Sequence, residues 1–381
     1  YFINGRGQGH GMSLALLRMR FLLEKKGVEF YFSTPIKKII REENGKVTGA
    51  VAYEKDGTEI EIKCKALIVA SGGMTNNMEL MKELGVINTK YEEVYTDGYL
   101  VNITFPDSCQ DGDGQKAVWE IGGKQMRISI SADPQVPNPG VRVGPNTPWL
   151  AANQTKIITE QPYLRVNENG KRFINEEMSN QHTAMSTSIQ RNNTNMCCFM
   201  IFDEDTAKSL ADHVEDGYVY FIFKGTKCEN IRGQMDEMIA KGNKHVCHFD
   251  TIHEVCEYMD INEENLKKTI ARYNKAAETG YDEDFKTDPK YIKPVREESG
   301  HIYCYRIFAG GYDTLGGLAI DENANVLDSN NRPIEGLYAG GDMVIGSFMG
   351  ESSNVGGTVQ GSMPSGMLAG DSAAAYVKGE C

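Results

Sequence analysis

Residues 66–73 read Ala66-Leu67-Ile68-Val69-Ala70-Ser71-Gly72-Gly73, and residues 336–342 read Gly336-Leu337-Tyr338-Ala339-Gly340-Gly341-Asp342. Each holds a short apolar run without polar alternation, the pattern of a strand buried in a parallel sheet. Each runs straight into a pair of glycines. In open α/β sheets ligands bind at the carboxyl ends of the strands, where helix N-termini and unpaired backbone N–H groups collect. Glycine there lets a ligand approach the backbone. Asp342 adds a carboxylate that can accept hydrogen bonds from sugar or polyol hydroxyls. Read alone, each stretch is equally an ordinary strand-to-loop turn, the second closed by its Asp side chain. The two together are more specific than either.

Outward from Asp342, glycines 346, 350, 356, 357, 361, 366 and 370 read as a loop feeding a helix that Thr358 and Ser362 lead toward Ala373–Tyr376. Such a loop at a helix N-terminus favours a negative or electron-rich group. Its few charges and many small residues point to close packing. Outward from Ala66, Asn44-Gly45 and Asp56-Gly57 are hairpin signals, so residues 36–63 read as a three-stranded meander. Earlier still, Gly5-Arg6-Gly7-Gln8-Gly9-His10-Gly11 precedes Ser13, which reads as a cap for a helix with Leu14, Leu16, Leu17, Phe21 and Leu22 on its apolar stripe. Gly27 stops it, and Val28, Phe30 and Phe32 alternate as a strand. The middle reads as a helix at 114–121, a hairpin at Asn169-Gly170, a buried strand at 197–202 and a long helix near 262–278.

The 40 glycines sit unevenly: 18 in residues 1–150, 7 in 151–300 and 15 in 301–381. One domain interrupted by another is the simplest account, with a boundary in the Pro-, Gly- and Asn-rich segment 133–148. A net charge of −13 argues against nucleic acid or an anionic membrane as partner. No stretch approaches the ~20 apolar residues of a membrane span. Nine cysteines without a C-x-x-C fit reduced thiols and a cytoplasmic location. The chain opens mid-pattern at Tyr1 without an initiator Met, so the expectation is that its N-terminus is missing.

Two motifs are set aside. Gly112-Asp113-Gly114-Gln115-Lys116-Ala117 matches the dinucleotide fingerprint letter for letter, but residues 105–111 do not read as the strand that must precede it. It reads instead as a loop capping a helix. His245, Cys247, His248, His253 and Cys256 are too irregularly spaced for a zinc site, and no metal is expected. Polar residues available for acid–base work are Tyr312 and Asp313, and Asn180 and His182 after Arg172-Phe173-Ile174-Asn175-Glu176. Taken singly, such a residue is more often hydrogen-bonding scaffold than a catalytic group.

Taken together, the motifs resemble the FAD-dependent fumarate reductase/succinate dehydrogenase flavoprotein superfamily. They match best its soluble branch, with urocanate reductase and 3-ketosteroid Δ1-dehydrogenase. The matching pieces, in order, are Gly-Gln-Gly-His-Gly-Met-Ser-Leu at 7–14, Ala66–Gly73, Asp111–Ala117, Asn-Gly-Lys-Arg-Phe-Ile-Asn-Glu at 169–176, Asp250–Glu254, Ala271–Asn274, Thr314–Leu318 and Gly336–Asp342. The resemblance implies an α/β fold with an α+β cap: a split glutathione-reductase-like FAD-binding domain, N-terminally truncated, formed by residues 1–132 and 305–381. Residues 133–304 would be the inserted capping domain over the substrate. It implies FAD as cofactor, held by Ser71, Gly72, Gly73, Gly341, Asp342, Thr358 and Val359, with Asp342 on the ribityl chain. Asn180, Asn354 and Gly357 would face the substrate. Fumarate reductases carry Arg where this chain has Asn180 and Asn354. Those losses remove two bidentate carboxylate clamps. A neutral enone or a larger substrate then fits better than fumarate.

The implied chemistry is hydride transfer between flavin N5 and an activated carbon–carbon bond of a small molecule, fed by an electron-donor protein or domain. Tyr312 is the expected proton carrier, with His182 next. Two alternatives remain at this level. One is a truncated, non-catalytic fragment without stable FAD binding. The other is a solute-binding module using the cleft between domains.

Overall fold

The computed structural model describes residues 10–96, 110–131, 134–137, 154–215, 225–310, 313–349 and 357–380. The chain is a mixture of helices and strands. Strands β1 (Ile36–Arg41), β2 (Val47–Tyr53) and β3 (Glu59–Lys63) form an antiparallel meander in that order. Its two turns place Gly45 and Gly57 at φ 93° and 87°, the left-handed region that glycine enters without steric cost. Next come β4 (Leu67–Val69) and β5 (Gln125–Ser131). Then follow β6 (Arg165–Val166), β7 (Cys197–Asp203), β8 (Val246–Phe249) and β9 (Ile302–Phe308), and last β10 (Asp313–Leu318), β11 (Asn325–Leu327) and β12 (Pro333–Ala339).

Pairing joins the two ends of the chain. β12 runs parallel to β4, with Leu337, Tyr338 and Ala339 opposite Leu67, Ile68 and Val69. β11 flanks β12, and β10 pairs antiparallel with β5. The four strands between them pair among themselves as an antiparallel sheet in the order β6-β7-β9-β8. Beneath the tips of β4 and β12, a core packs Val69, Val118, Leu318, Leu337, Ala339 and Met343. A larger core runs under the antiparallel sheet through Phe199, Ile201, Tyr305 and Phe308.

The meander and the long helix follow the sequence reading. The helix spans Glu263–Thr279, with the Asn262 side chain accepting from Asn265 N. Other readings are corrected. Residues 28–32 form no strand; Phe30 and Phe32 stack at 6.2 Å and Arg20 sits over the Phe32 ring. Alternation without a ladder partner leaves nothing to hold a strand. The first helix runs His10–Glu24, so Ser13 lies inside it, and its Leu14, Leu16 and Leu17 are exposed. Asn169-Gly170 makes a turn but no hairpin. Gly170 is pressed against the start of the long helix, where a Cβ would lie 2.6 Å from Asn262 O. Glycines 361, 366 and 370 fall inside a helix, Gly357–Lys378, rather than in a loop. The His/Cys group is spread out: His248 contacts Asp236, His253 contacts Glu263, and Cys247 lies opposite Cys304.

His245 carries a pH dependence. Its ring packs edge-on to Phe308 at 5.1 Å, and Arg306 Nη1 lies 3.5 Å from its Nδ1. Burial and then the Arg306 charge push its pKa down to about 4. The unfolded chain takes up a proton near its ordinary value of about 6.5, while the folded state refuses it. Stability therefore falls as pH drops from about 6.5 toward 4. The expected loss from this residue is about 2 kcal/mol between pH 7 and pH 4.5. Urea unfolding of wild type and His245→Gln at both pH values isolates it: the variant lacks this share of the loss, and equal losses would refute it.

Candidate functional site

The parallel pairing of β4 and β12 brings Ser71-Gly72-Gly73 beside Gly340-Gly341-Asp342, and Gly340 N donates to Val69 O at 3.1 Å. Both tips turn through left-handed glycines, Gly72 at φ 78° and Gly341 at φ 83°. Among the described residues, a Cβ built on Gly341 would meet nothing within 4 Å, and one on Gly72 would meet only Gln110, at 3.9 Å. Toward the described residues these backbones border open space. Gly340 instead packs tightly against the C-terminal helix, where a Cβ would stand 3.0 Å from Gly366 Cα.

The helix Gly357–Lys378 completes one wall. Ser362 Oγ donates to Asp342 Oδ1 at 2.6 Å, and Gly341 N donates to the buried Ser365 Oγ at 3.0 Å. The opposite wall is the helix Asp113–Glu120, entered through Gly112 at φ 76°. This is the fingerprint-like stretch, and the structure gives its glycines packing roles. A Cβ on Gly112 would lie 2.8 Å from Leu80, and one on Gly114 would collide with Ser71. Gln115 is buried; its Nε2 donates to Gly72 O at 2.9 Å, and its Oε1 has no partner. Gln115 and Ser365 were not read from the sequence. The fingerprint match drew attention to the loop but not to Gln115.

A second element carries Asn180 and His182. Arg172 reaches Glu176 (Nε to Oε1 2.8 Å) and Asp282 (Nη1 to Oδ1 2.9 Å, Nη2 to Oδ2 2.8 Å), with Thr287 Oγ1 at 3.1 Å. All three charged side chains are almost fully buried. Burial pushes the Glu176 pKa up against the pull of Arg172. Burial acts the same way on Asp282, but its hydrogen bonds and the Arg172 charge outweigh it and hold that carboxyl below the usual range. This network anchors the 3-10 turn Glu176–Asn180 and the helix His182–Asn192. Ser186 Oγ donates to Gly310 O at 3.0 Å, tying that helix to the chain just before Tyr312. Tyr312 and Asn354 lie outside the described residues, as do the side chains of Asn180, His182, Thr358 and Val359. Gly357 opens the C-terminal helix.

Two parallel strand tips, left-handed glycines facing open space, a tip carboxylate and a helix on either side define a nucleotide-type binding cleft. The chain belongs to the FAD binding domain family, whose model matches residues 4–359. It is 26% identical over 347 residues to vinyl phenol reductase of Lactiplantibacillus plantarum, covering 88% of this chain and 66% of that protein. It is 25% identical over 359 residues to fumarate reductase (cytochrome) of Shewanella frigidimarina, covering 93% and 53%. The chain thus spans roughly half to two-thirds of these relatives. In fold it is similar to 3-ketosteroid delta1-dehydrogenase from Sterolibacterium denitrificans, with a TM-score of 0.63 at 22% identity over 94% of this chain and 62% of that one.

FAD is therefore the cofactor, and the residues present fit it. The space beside Gly341 and Gly72 admits a backbone-hugging ligand, and the unpartnered Gln115 Oε1 is a buried acceptor suited to a hydroxyl. Asp342, with Oδ1 held by Ser362, adds a charged acceptor. Replacing Asp342 with Ala should weaken FAD affinity about ten- to a hundredfold, the range for a charge-assisted hydrogen bond. Quenching of flavin fluorescence on titration measures it; unchanged affinity would remove Asp342 from the site.

Proposed function

We propose that this chain is the flavin-bearing part of an oxidoreductase that acts on an activated carbon–carbon bond of a small organic molecule. The observation that carries the reading is the cleft between the tips of β4 and β12, with Asp342 and Gln115 as acceptors and glycines as its lip. Residues 1–132 and 305–381 are read as two parts of one FAD-binding domain and 133–304 as a capping domain. The pairing of β4 with β12 and β5 with β10, around a middle sheet that pairs with itself, supports that division. Ser71, Gly72, Gly73, Gly341, Asp342, Thr358 and Val359 line the cofactor, and Asn180, Asn354 and Gly357 face the substrate.

When bound, FAD supplies hydride exchange between its N5 and carbon. The chain's own part is to position the substrate, exclude water and move the accompanying proton. Tyr312 is the proton carrier, through its phenolic oxygen, with His182 as the next candidate. Asn180 and Asn354 offer neutral hydrogen bonds, so a ketone or other uncharged activating group suits the site better than a dicarboxylate. Two proteins that the chain is similar to, a vinyl phenol reductase and a fumarate reductase, bracket this class. A separate protein or domain delivers electrons. No helix among the described residues is long and apolar enough to cross a membrane. Buried thiols such as Cys198 and Cys304 suit the reducing cytoplasm, where we place the protein.

With dithionite-reduced enzyme and a panel of enones and enoates, a cyclic enone should be reoxidant of choice and fumarate a poor one. Tyr312→Phe should lower turnover about a hundredfold while the visible flavin spectrum stays the same. Unchanged turnover would remove Tyr312 from the role. A chain that takes up no flavin at all would overturn the whole reading.

A further inference from the structure

Arg165 opens the two-residue strand β6 and is 1% exposed. Its Nε donates to Ser179 Oγ at 3.1 Å, and its Nη2 donates to Thr159 O and, at 3.4 Å, to Gln161 O. These partners are a hydroxyl and two carbonyls, with no carboxylate among them, and Nη1 has no partner at all. Burying a charge without an opposite charge is costly. An apolar side chain of similar length would fill the space with less desolvation. The guanidinium is therefore retained for what it holds.

It holds three segments at fixed spacing. Thr159 closes the helix Gln154–Thr159, and its carbonyl is among those that a helix end leaves without an internal partner. Ser179 belongs to the 3-10 turn Glu176–Asn180 and is 2% exposed. Its Oγ accepts from Arg165 and donates to Glu176 O at 2.8 Å. Arg165 is itself pinned: it lies opposite Met200 in β7, and Ile201 N donates to Leu164 O at 3.0 Å. A planar fork with donors in fixed directions sets the distances between strand, helix end and turn. Arg172 grips the start of the same turn at Glu176, and Arg165 grips its end at Ser179. Asn180 follows directly, one peptide unit or about 3.8 Å between Cα atoms further on.

We propose that Arg165 is a positioning residue: acting through Ser179, it fixes the end of the turn that presents Asn180 to the substrate. The inference rests on the reading of Asn180 as a substrate-facing residue.

Turnover of 2-cyclohexen-1-one by the FAD-loaded chain with dithionite as reductant, together with hydrogen exchange at the amides of residues 176–181, tests this. Arg165→Met and Ser179→Ala should each raise KM about tenfold and change kcat by less than about twofold, the split expected when a binding hydrogen bond is misplaced. Both should speed exchange in the turn about tenfold while the flavin spectrum stays that of wild type. Ser179→Ala removes only a hydroxyl, so the test stands even where Arg165→Met does not fold. In an Asn180→Ala background, Ser179→Ala should add less than about twofold to KM, because the residue it acts through is gone. A full tenfold rise there would place the effect elsewhere and overturn the proposal. Wild-type KM and exchange in Ser179→Ala and Arg165→Met overturn this inference alone. No turnover by wild type, or a wild-type KM in Asn180→Ala, overturns the reading of the substrate site and this inference with it.

Discussion

Arg172→Met should destabilise the protein by about 3–5 kcal/mol, the usual consequence of stranding a buried charge by removing its partner. Methionine keeps the bulk of the Arg stem but loses the guanidinium, whose Cζ lies over the rings of Tyr273 at 5.1 Å and Phe285 at 4.9 Å. It removes the guanidinium that both Glu176 and Asp282 depend on. Neither carboxylate can reach water, since their side chains are 0% and 2% exposed. Without Arg172 the largest pull opposing burial on Glu176 is gone, so its pKa rises further and the folded variant binds that proton more tightly than the unfolded chain. Its stability therefore increases as pH falls, and the deficit against wild type should be smaller at pH 5 than at pH 8. Adding Glu176→Gln to the variant should recover part of the loss. Urea unfolding at the two pH values measures all of this. A wild-type midpoint in Arg172→Met would mean the network contributes nothing.

Gly317→Val should cost about 4 kcal/mol, from backbone strain and overpacking that run to about 1–3 kcal/mol each. Gly317 sits at φ 97°, which a β-branched residue does not adopt without strain. A Cβ there would lie 2.5 Å from Met343 O and 3.2 Å from Gln115 Cδ. The first contact is backbone and cannot step aside. The second pushes on the amide that holds Gly72 O, so FAD uptake should fail along with stability. Gly57→Ala is the comparison: its φ is 87° but a Cβ would meet nothing within 4 Å, so it carries strain alone. Thermal unfolding and the flavin content of purified protein read out both variants. Equal losses in the two would mean that crowding at Gly317 is harmless.

The sequence reading reached furthest where the signal was local. Ala66–Gly73 and Gly336–Asp342 showed as strands with glycine tips, and Asn44-Gly45 and Asp56-Gly57 as turns, because each pattern is complete within a few residues; the burial read into the first was too complete, since Ile68 is exposed. Their parallel pairing agrees with what those apolar runs implied. Long-range contacts were not legible. Gln115 reaches Gly72 across 43 positions and Arg172 reaches Asp282 across 110, and neither leaves a periodic trace. Val28, Phe30 and Phe32 show the opposite failure: the alternation is there, but a strand also needs a neighbouring backbone, which side-chain pattern cannot announce. The helical glycines 361 and 366 misled for a related reason. They suit a loop by propensity, yet Gly361 lies against Ile345 and Gly366 lets Gly340 approach. Packing outweighed their helix cost of about 1 kcal/mol each.

The parallel partnership of β4 and β12 also sets an order of assembly. Val69 and Ala339 face each other across 270 residues of chain. Closing so long a loop before its contacts repay the lost entropy is slow. The antiparallel sheet of β6–β9 closes within residues 165–308. During synthesis from the N-terminus, that sheet has all its strands while β4 still waits for its neighbour. The cleft is thus the last part to mature, and until β12 emerges the apolar edge of β4 is a natural client for chaperones.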